Sequence, residues 1–261
     1  MAHAYALNEG SYSVDASKKF IPFDPLVDRP KDRPASLFVH VQPFLLDTGH
    51  ELIVLDTGLG YADDNGELFI HKHIRAKGYD PRDVSKVLMS HLHFDHAAGM
   101  LHEVQGKWEL SFPGADYFVQ EKELETALTR PSKSYHAEML EVLRRSGGLQ
   151  LINGNGAIDS MIHYELTGAH SEFHQVFRID TGEQVFFFGG DVMPEAIQVQ
   201  RKFMAKYDFD GRKAMELREE YGRQAVEHNW YCLMYHDKKE AIVQFGLENG
   251  AFTVKWSGEE V

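Results

Sequence analysis

The chain has 261 residues, with 40 acidic against 27 basic side chains and a formal net charge of −13. This balance opposes recognition of a phosphate backbone, because the basic residues are scattered or in short pairs such as Lys18-Lys19 and Arg144-Arg145. The first twenty residues lack a basic head and an apolar run, and no eighteen apolar residues are consecutive, so neither a signal peptide nor a membrane span is expected.

Residues 15–35, rich in proline and charge, read as an N-terminal loop region that covers part of a site. SLFVHVQPFLL (36–46) and ELIVLDTG (51–58), separated by the turn DTGH, read as an antiparallel hairpin. A short helix is expected over 69–77, then a buried strand at VSKVLMS (84–90). WELSFPGADYFVQ mixes strand and turn signals, and KELETALTR and SYHAEMLEVLRRSG have helical periodicity. LQLIN, MIHYELTG and HQVFRIDTGEQVFFFGGD supply further strands, the last folding back at TGEQ. A long amphipathic helix follows over 210–228, then WYCLMYH and a terminal hairpin of AIVQFGL and AFTVKW. Cys232, the single cysteine, lies in that apolar WYCLMYH run, so a buried thiol, no internal disulfide and a cytoplasmic location are expected. This order predicts an α+β chain forming one domain over 1–261, with sheets covered by helices.

HLHFDH (91–96) follows directly on the buried strand at 84–90. Imidazole and carboxylate groups are the usual ligands of hydrolytic metal centres. Residues two apart in extended chain point to the same side, so His91 and His93 can grip one ion. A turn into DHAAG can aim Asp95 and His96 at a second. Both shells are incomplete, and three residues at predicted strand ends can complete them: His170, Asp191 and His236. Convergence would give one ion His91, His93 and His170, and the other Asp95, His96 and His236, with Asp191 between them. Most of the other histidines, among them His3, His50, His71, His102 and His228, read as solvated or structural.

HLHFDH, TGAHSEFH, FFGGD and MYHD together resemble the ligand motifs of the metallo-beta-lactamase superfamily, in order from IVLDTG to His236. The resemblance implies a four-layer αββα sandwich with two divalent ions, zinc first, with manganese, iron and cobalt as alternatives. It implies that Asp56 in LDTG supports the metal loop from behind and that His174 is not a ligand. Glutamate is absent at position 93, which separates the chain from the oxygen-reducing di-iron branch. The layout is similar to the lactonase-like branch, whose acyl-homoserine lactone enzymes carry a tyrosine three residues beyond the bridging aspartate. Here that position is Pro194.

The implied function is a hydrolase that attacks a lactone or other small organic ester with water activated between the two ions, Asp95 orienting the nucleophile and relaying its proton. Phe23, Phe94, Trp108, Met193 and Pro194 are the candidate pocket walls. The expected partner is a small molecule, with no nucleic acid and no membrane, and the resemblance implies a homodimer. A glyoxalase-like thioesterase, a phosphotriesterase, a mononuclear iron dioxygenase and a metal-stabilised binding protein stay open.

Overall fold

The computed structural model describes residues 1–130 and 132–261. Two sheets stack face to face. The first runs His3–Ala6, Phe44–Asp47, Leu52–Leu55, Val84–Leu88, Asp116–Gln120, Leu149–Ile152, antiparallel at its first two pairings and parallel thereafter. The second orders Gly156–Ala157, Ile162–Leu166, Gln175–Asp180, Val185–Phe188, Tyr231–Leu233, Ile242–Glu248 and Ala251–Gly258, with its single parallel pairing between Val185–Phe188 and Tyr231–Leu233. Among the described residues no helix is long and apolar enough to cross a membrane.

The layering follows from strands that are apolar on both faces. Side chains alternate across a strand, so one strand can serve two cores. Leu46, Ile53, Leu55 and Leu88 face inward against Phe177, Ile179, Phe186 and Phe188. Their neighbours Leu45, Val54 and Val87 face outward under the helices Phe69–Ala76, Glu121–Thr129 and Ala137–Arg145. On the far side Val176, Phe187, Cys232 and Val243 pack under the helix Gly211–His228 through Ala214, Tyr221 and Ala225. Each fully buried Leu, Ile or Phe contributes about 1.5–3 kcal/mol relative to exposure, and the three cores produce the αββα sandwich. Cys232 is buried, as its apolar run predicts.

Two expectations need correction. The stretch 36–46 is two strands rather than one: Leu37–Val41 pairs with Gly10–Val14 in a separate three-stranded sheet, and Phe44–Asp47 pairs with His3–Ala6 and Leu52–Leu55. The break falls at Gln42-Pro43, where proline has no N–H for a ladder and the buried Gln42 amide donates to Met234 O and Asp237 O, both at 2.7 Å. Residues 15–35 are not all loop, since Phe20–Pro22 completes the small sheet and Pro30–Asp32 forms a 3-10 turn.

Glu9 sits opposite this break, its carboxylate buried against the Asp56–Leu59 turn. Oε2 accepts from the Leu59 N–H at 2.8 Å, whereas Oε1 has no partner among the described residues. Burial pushes its pKa up to about 8, the Leu59 bond opposing only in part. The folded state therefore holds a proton that the unfolded chain releases near pH 4.5. Stability linked to this group is present below that pH and is lost as pH rises through about 8. Glu9→Gln should raise the melting temperature by several degrees at pH 8.5 and change it little at pH 4.5, as read by thermal melts at the two pH values.

Candidate metal centre

The centre lies where strand ends of both sheets meet. Val84–Leu88 ends at Ser90-His91, Val185–Phe188 leads to Asp191, and Tyr231–Leu233 leads to His236. His93 precedes the short helix Phe94–Ala97, which swings Asp95 and His96 round to the same cavity. His170 comes from the loop between Ile162–Leu166 and Gln175–Asp180.

Seven residues expected at the site come together. His91 Nε2 lies 2.9 Å from His93 Nδ1, which lies 3.1 Å from His170 Nε2. These three nitrogens form one compact group, and Asp95, His96 and His236 form another. Asp191 stands between them: Oδ1 is 3.1 Å from both His96 Nε2 and His236 Nε2, and Oδ2 is 3.2 Å from His170 Nε2. Asp95 Oδ2 is 3.7 Å from His236 Nε2 and 3.9 Å from His96 Nε2. Asp191 Oδ1 and His96 Nε2 are buried without a hydrogen bond. Buried polar atoms are normally paired, and a divalent cation between facing nitrogen and carboxylate lone pairs would satisfy them. The donor set fits such an ion.

The backs of the rings explain why the lone pairs face inward. His96 Nδ1 donates to Asp56 Oδ2 at 2.6 Å, His170 Nδ1 to Asp208 Oδ1 at 2.9 Å, and His236 Nδ1 to the carbonyl of His40. An imidazole that donates from Nδ1 presents Nε2 as a lone pair. Asp56 also accepts from the Ser90 N–H at 2.7 Å and the Ser90 hydroxyl at 2.6 Å. It occupies a left-handed conformation (φ 53°) and lies behind the rings, where its contacts match a supporting role. Gly99 lets this turn approach the metal loop, since a Cβ there would meet Thr57 O at 2.0 Å.

The rings of the two groups differ in how readily they hold a proton. Burial, followed by the neighbouring rings His96 and His93, holds His91 well below the usual histidine range. Burial and then His170 do the same to His93. Burial works against charge on His96, yet Asp191 and Asp95 outweigh it and raise that ring well above its ordinary value. Asp191 is held far below the carboxylate range because His236, His96 and His170 overcome its desolvation. His174 is not part of either group: it lies beneath, accepting the Asp191 N–H at Nε2 (3.1 Å) while its Nδ1 meets Thr167 Oγ1 (2.9 Å).

A cavity of about 570 Å³ opens above the centre. Its lining includes His93, Asp95, His170, Asp191 and His236, the apolar side chains Phe20, Leu37, Phe38 and Phe94, the aromatic Tyr135, Tyr207 and Phe209, and the basic Lys18, Arg130 and Lys133. Phe94 and Pro194 line it as expected. Phe23, Trp108 and Met193 do not. Phe23 packs against Phe38, 4.6 Å between ring centres. Trp108 lies on the outer hairpin Leu101–Leu110 against His136, and Met193 is buried under the helix Gly211–His228.

The sequence reading missed two buried acids. Asp208 precedes the long helix in YDFDG and reads as a turn former. Glu123 lies on the helix Glu121–Thr129, where it reads as a solvated charge, but it accepts from the Leu92 N–H (3.1 Å), the Ser171 hydroxyl (3.0 Å) and the Tyr135 hydroxyl (3.3 Å). It thereby ties the loop of His91 and His93 to that of His170. Neither acid has a local sequence signal, because each partner is distant in the chain.

Residues 38–247 match the metallo-beta-lactamase superfamily. An N-acyl homoserine lactonase of Bacillus thuringiensis is 29% identical over 157 residues, which cover 53% of this chain and 57% of that protein. The match thus spans little more than half the length of the relative. Among solved structures, a probable metal-dependent hydrolase from Staphylococcus aureus superposes with a TM-score of 0.76 at 19% identity, covering 98% of this chain and 96% of its own. AidC, a dizinc quorum-quenching lactonase, superposes at 0.74 and 19% identity, covering 98% and 95%. These two likenesses concern the fold.

Asp191→Ala removes the one carboxylate that faces both groups. Elemental analysis after dialysis should show metal content falling below half of wild type, while the apo proteins keep the same far-ultraviolet circular dichroism; full occupancy in the variant would contradict the bridging position.

Proposed function

The chain belongs to the metallo-beta-lactamase superfamily, and on that premise we propose a metal-dependent hydrolase that uses two divalent ions to cleave lactones or other small organic esters. The observation that carries this reading is the Asp191 carboxylate, one oxygen toward each histidine group, lining a cavity that also holds apolar side chains. His91, His93 and His170 would hold one ion, Asp95, His96 and His236 the other, and Asp191 both. Zinc is the first candidate, since the donors are imidazole and carboxylate.

Bound there, such ions lower the pKa of water towards neutrality and polarise a carbonyl oxygen. The protein's own groups do the rest. Asp95 faces the cavity, its backbone fixed by the Tyr235 hydroxyl, which donates to Asp95 O at 2.6 Å. Its carboxylate would take the proton of the attacking water and deliver it to the leaving oxygen as the acyl C–O bond breaks, giving an acid and an alcohol. The apolar side chains Phe20, Leu37, Phe38 and Phe94 suit an apolar arm on the substrate.

Pro194 lines the cavity and has no hydroxyl to give a substrate carbonyl. Tyr207 lines the same cavity, its ring 6.0 Å from that of His170, and its hydroxyl makes no hydrogen bond among the described residues. Tyr207 is half exposed, and its phenol is a donor at neutral pH. We assign to it the hydrogen bond that meets developing charge on the carbonyl oxygen.

Protein reconstituted with zinc, manganese, cobalt or iron should hydrolyse small aliphatic lactones or aryl esters, and turnover should disappear on chelation and return with metal. Absence of turnover on lactones, esters, thioesters and phosphotriesters at full metal loading would overturn the activity. Tyr207→Phe should lower kcat by about a hundred- to a thousandfold with metal content unchanged, and equal kinetics would remove Tyr207 from this task.

A further inference from the structure

The two histidine groups differ in how their charge is balanced. Asp95, His96 and His236 contain a carboxylate of their own, whereas His91, His93 and His170 contain none and face Asp191 through His170. Behind the second group, His91 Nδ1 meets the neutral Ser90 hydroxyl at 3.0 Å. The carboxylate bonded directly to a ring of this group from behind is Asp208, 2.9 Å from His170 Nδ1 with a side chain only 1% exposed. Its second oxygen is buried without a partner among the described residues, so the carboxylate is desolvated for the sake of one bond to His170.

The segment carrying Asp208 is fixed to the same loop. The Phe209 N–H donates to His170 O at 3.0 Å and the Asp210 N–H to Ala169 O at 2.8 Å. Arg218, buried beneath, donates to Val192 O at 2.7 Å and Phe203 O at 3.0 Å, joining this segment to the turn of Asp191. A carboxylate behind a ligating imidazole sets its tautomer and orientation and increases its basicity.

We propose that Asp208 is a positioning residue for the three-histidine group, fixing the His170 ring and supplying the negative charge that determines how tightly that group holds its ion. The inference rests on the two-ion reading of the site, but not on any substrate. Asparagine at this position can still accept from Nδ1–H without the charge, whereas alanine removes both charge and bond.

Titration of metal-free protein with cobalt(II), followed by visible absorption, separates these contributions. Wild type should take up two equivalents. Asp208→Asn should weaken one of the two binding phases by about tenfold and Asp208→Ala by about a hundredfold, leaving the other phase within about twofold. Both phases unchanged in Asp208→Asn, or both weakened alike, would overturn the inference, and Asp208→Asn keeps the test valid should the alanine variant fail to fold. Two bound ions without ester hydrolysis would sink the proposed activity while this assignment stands. Wild type that takes up no cobalt would overturn both.

Discussion

A carboxylate buried between two sets of imidazole nitrogens is the constraint around which this molecule is arranged. Asp191 is desolvated, and its Oδ1 faces two ring nitrogens at 3.1 Å while making no hydrogen bond. Removing an ionised group from water costs several kcal/mol unless positive charge compensates it. The folded chain therefore needs positive charge at one sheet edge, from the facing rings or from a cation held between them. Two stacked sheets meet that demand geometrically, because strand ends from both deliver donors to one point on rigid backbone.

The donors are braced from outside by groups that never face the cavity. Asp56 holds His96 and Ser90, Asp208 holds His170, the His40 carbonyl holds His236, and Glu123 links the two loops of the three-histidine group. Such bracing keeps ligand lone pairs in place before any ion arrives, which lowers the ordering cost of binding. It also concentrates buried acids around the centre, so part of the stability gained in the three apolar cores is offset here. Glu9 adds to this load from the N-terminal side, against the turn that carries Asp56.

Much of the fold and of the histidine–aspartate cluster was legible in the sequence, for a physical reason. Strands with two apolar faces and helices with one write their burial as local periodicity, and HLHFDH packs four donors into six residues after such a strand. The polar residues at later strand ends, His170, Asp191 and His236, could be read the same way. Features set by contacts distant in sequence left no such mark. The division of 36–46 depends on which partners the halves find, Gly10–Val14 and His3–Ala6, and the small sheet containing Phe20–Pro22 follows from the same choice. Glu123, Asp208 and Tyr207 meet their partners only when loops more than thirty residues apart close on one another. Phe23, Trp108 and Met193 look like pocket residues because they are large and lie near the motifs or in the early loop, and packing turns each one elsewhere.

Anomalous X-ray scattering recorded on either side of the zinc absorption edge, from crystals of zinc-reconstituted protein, addresses the cation pair directly. The account predicts two peaks, one beside each Asp191 oxygen, with His91, His93 and His170 around the first and Asp95, His96 and His236 around the second. A single peak, or zinc bound away from Asp191, would contradict it.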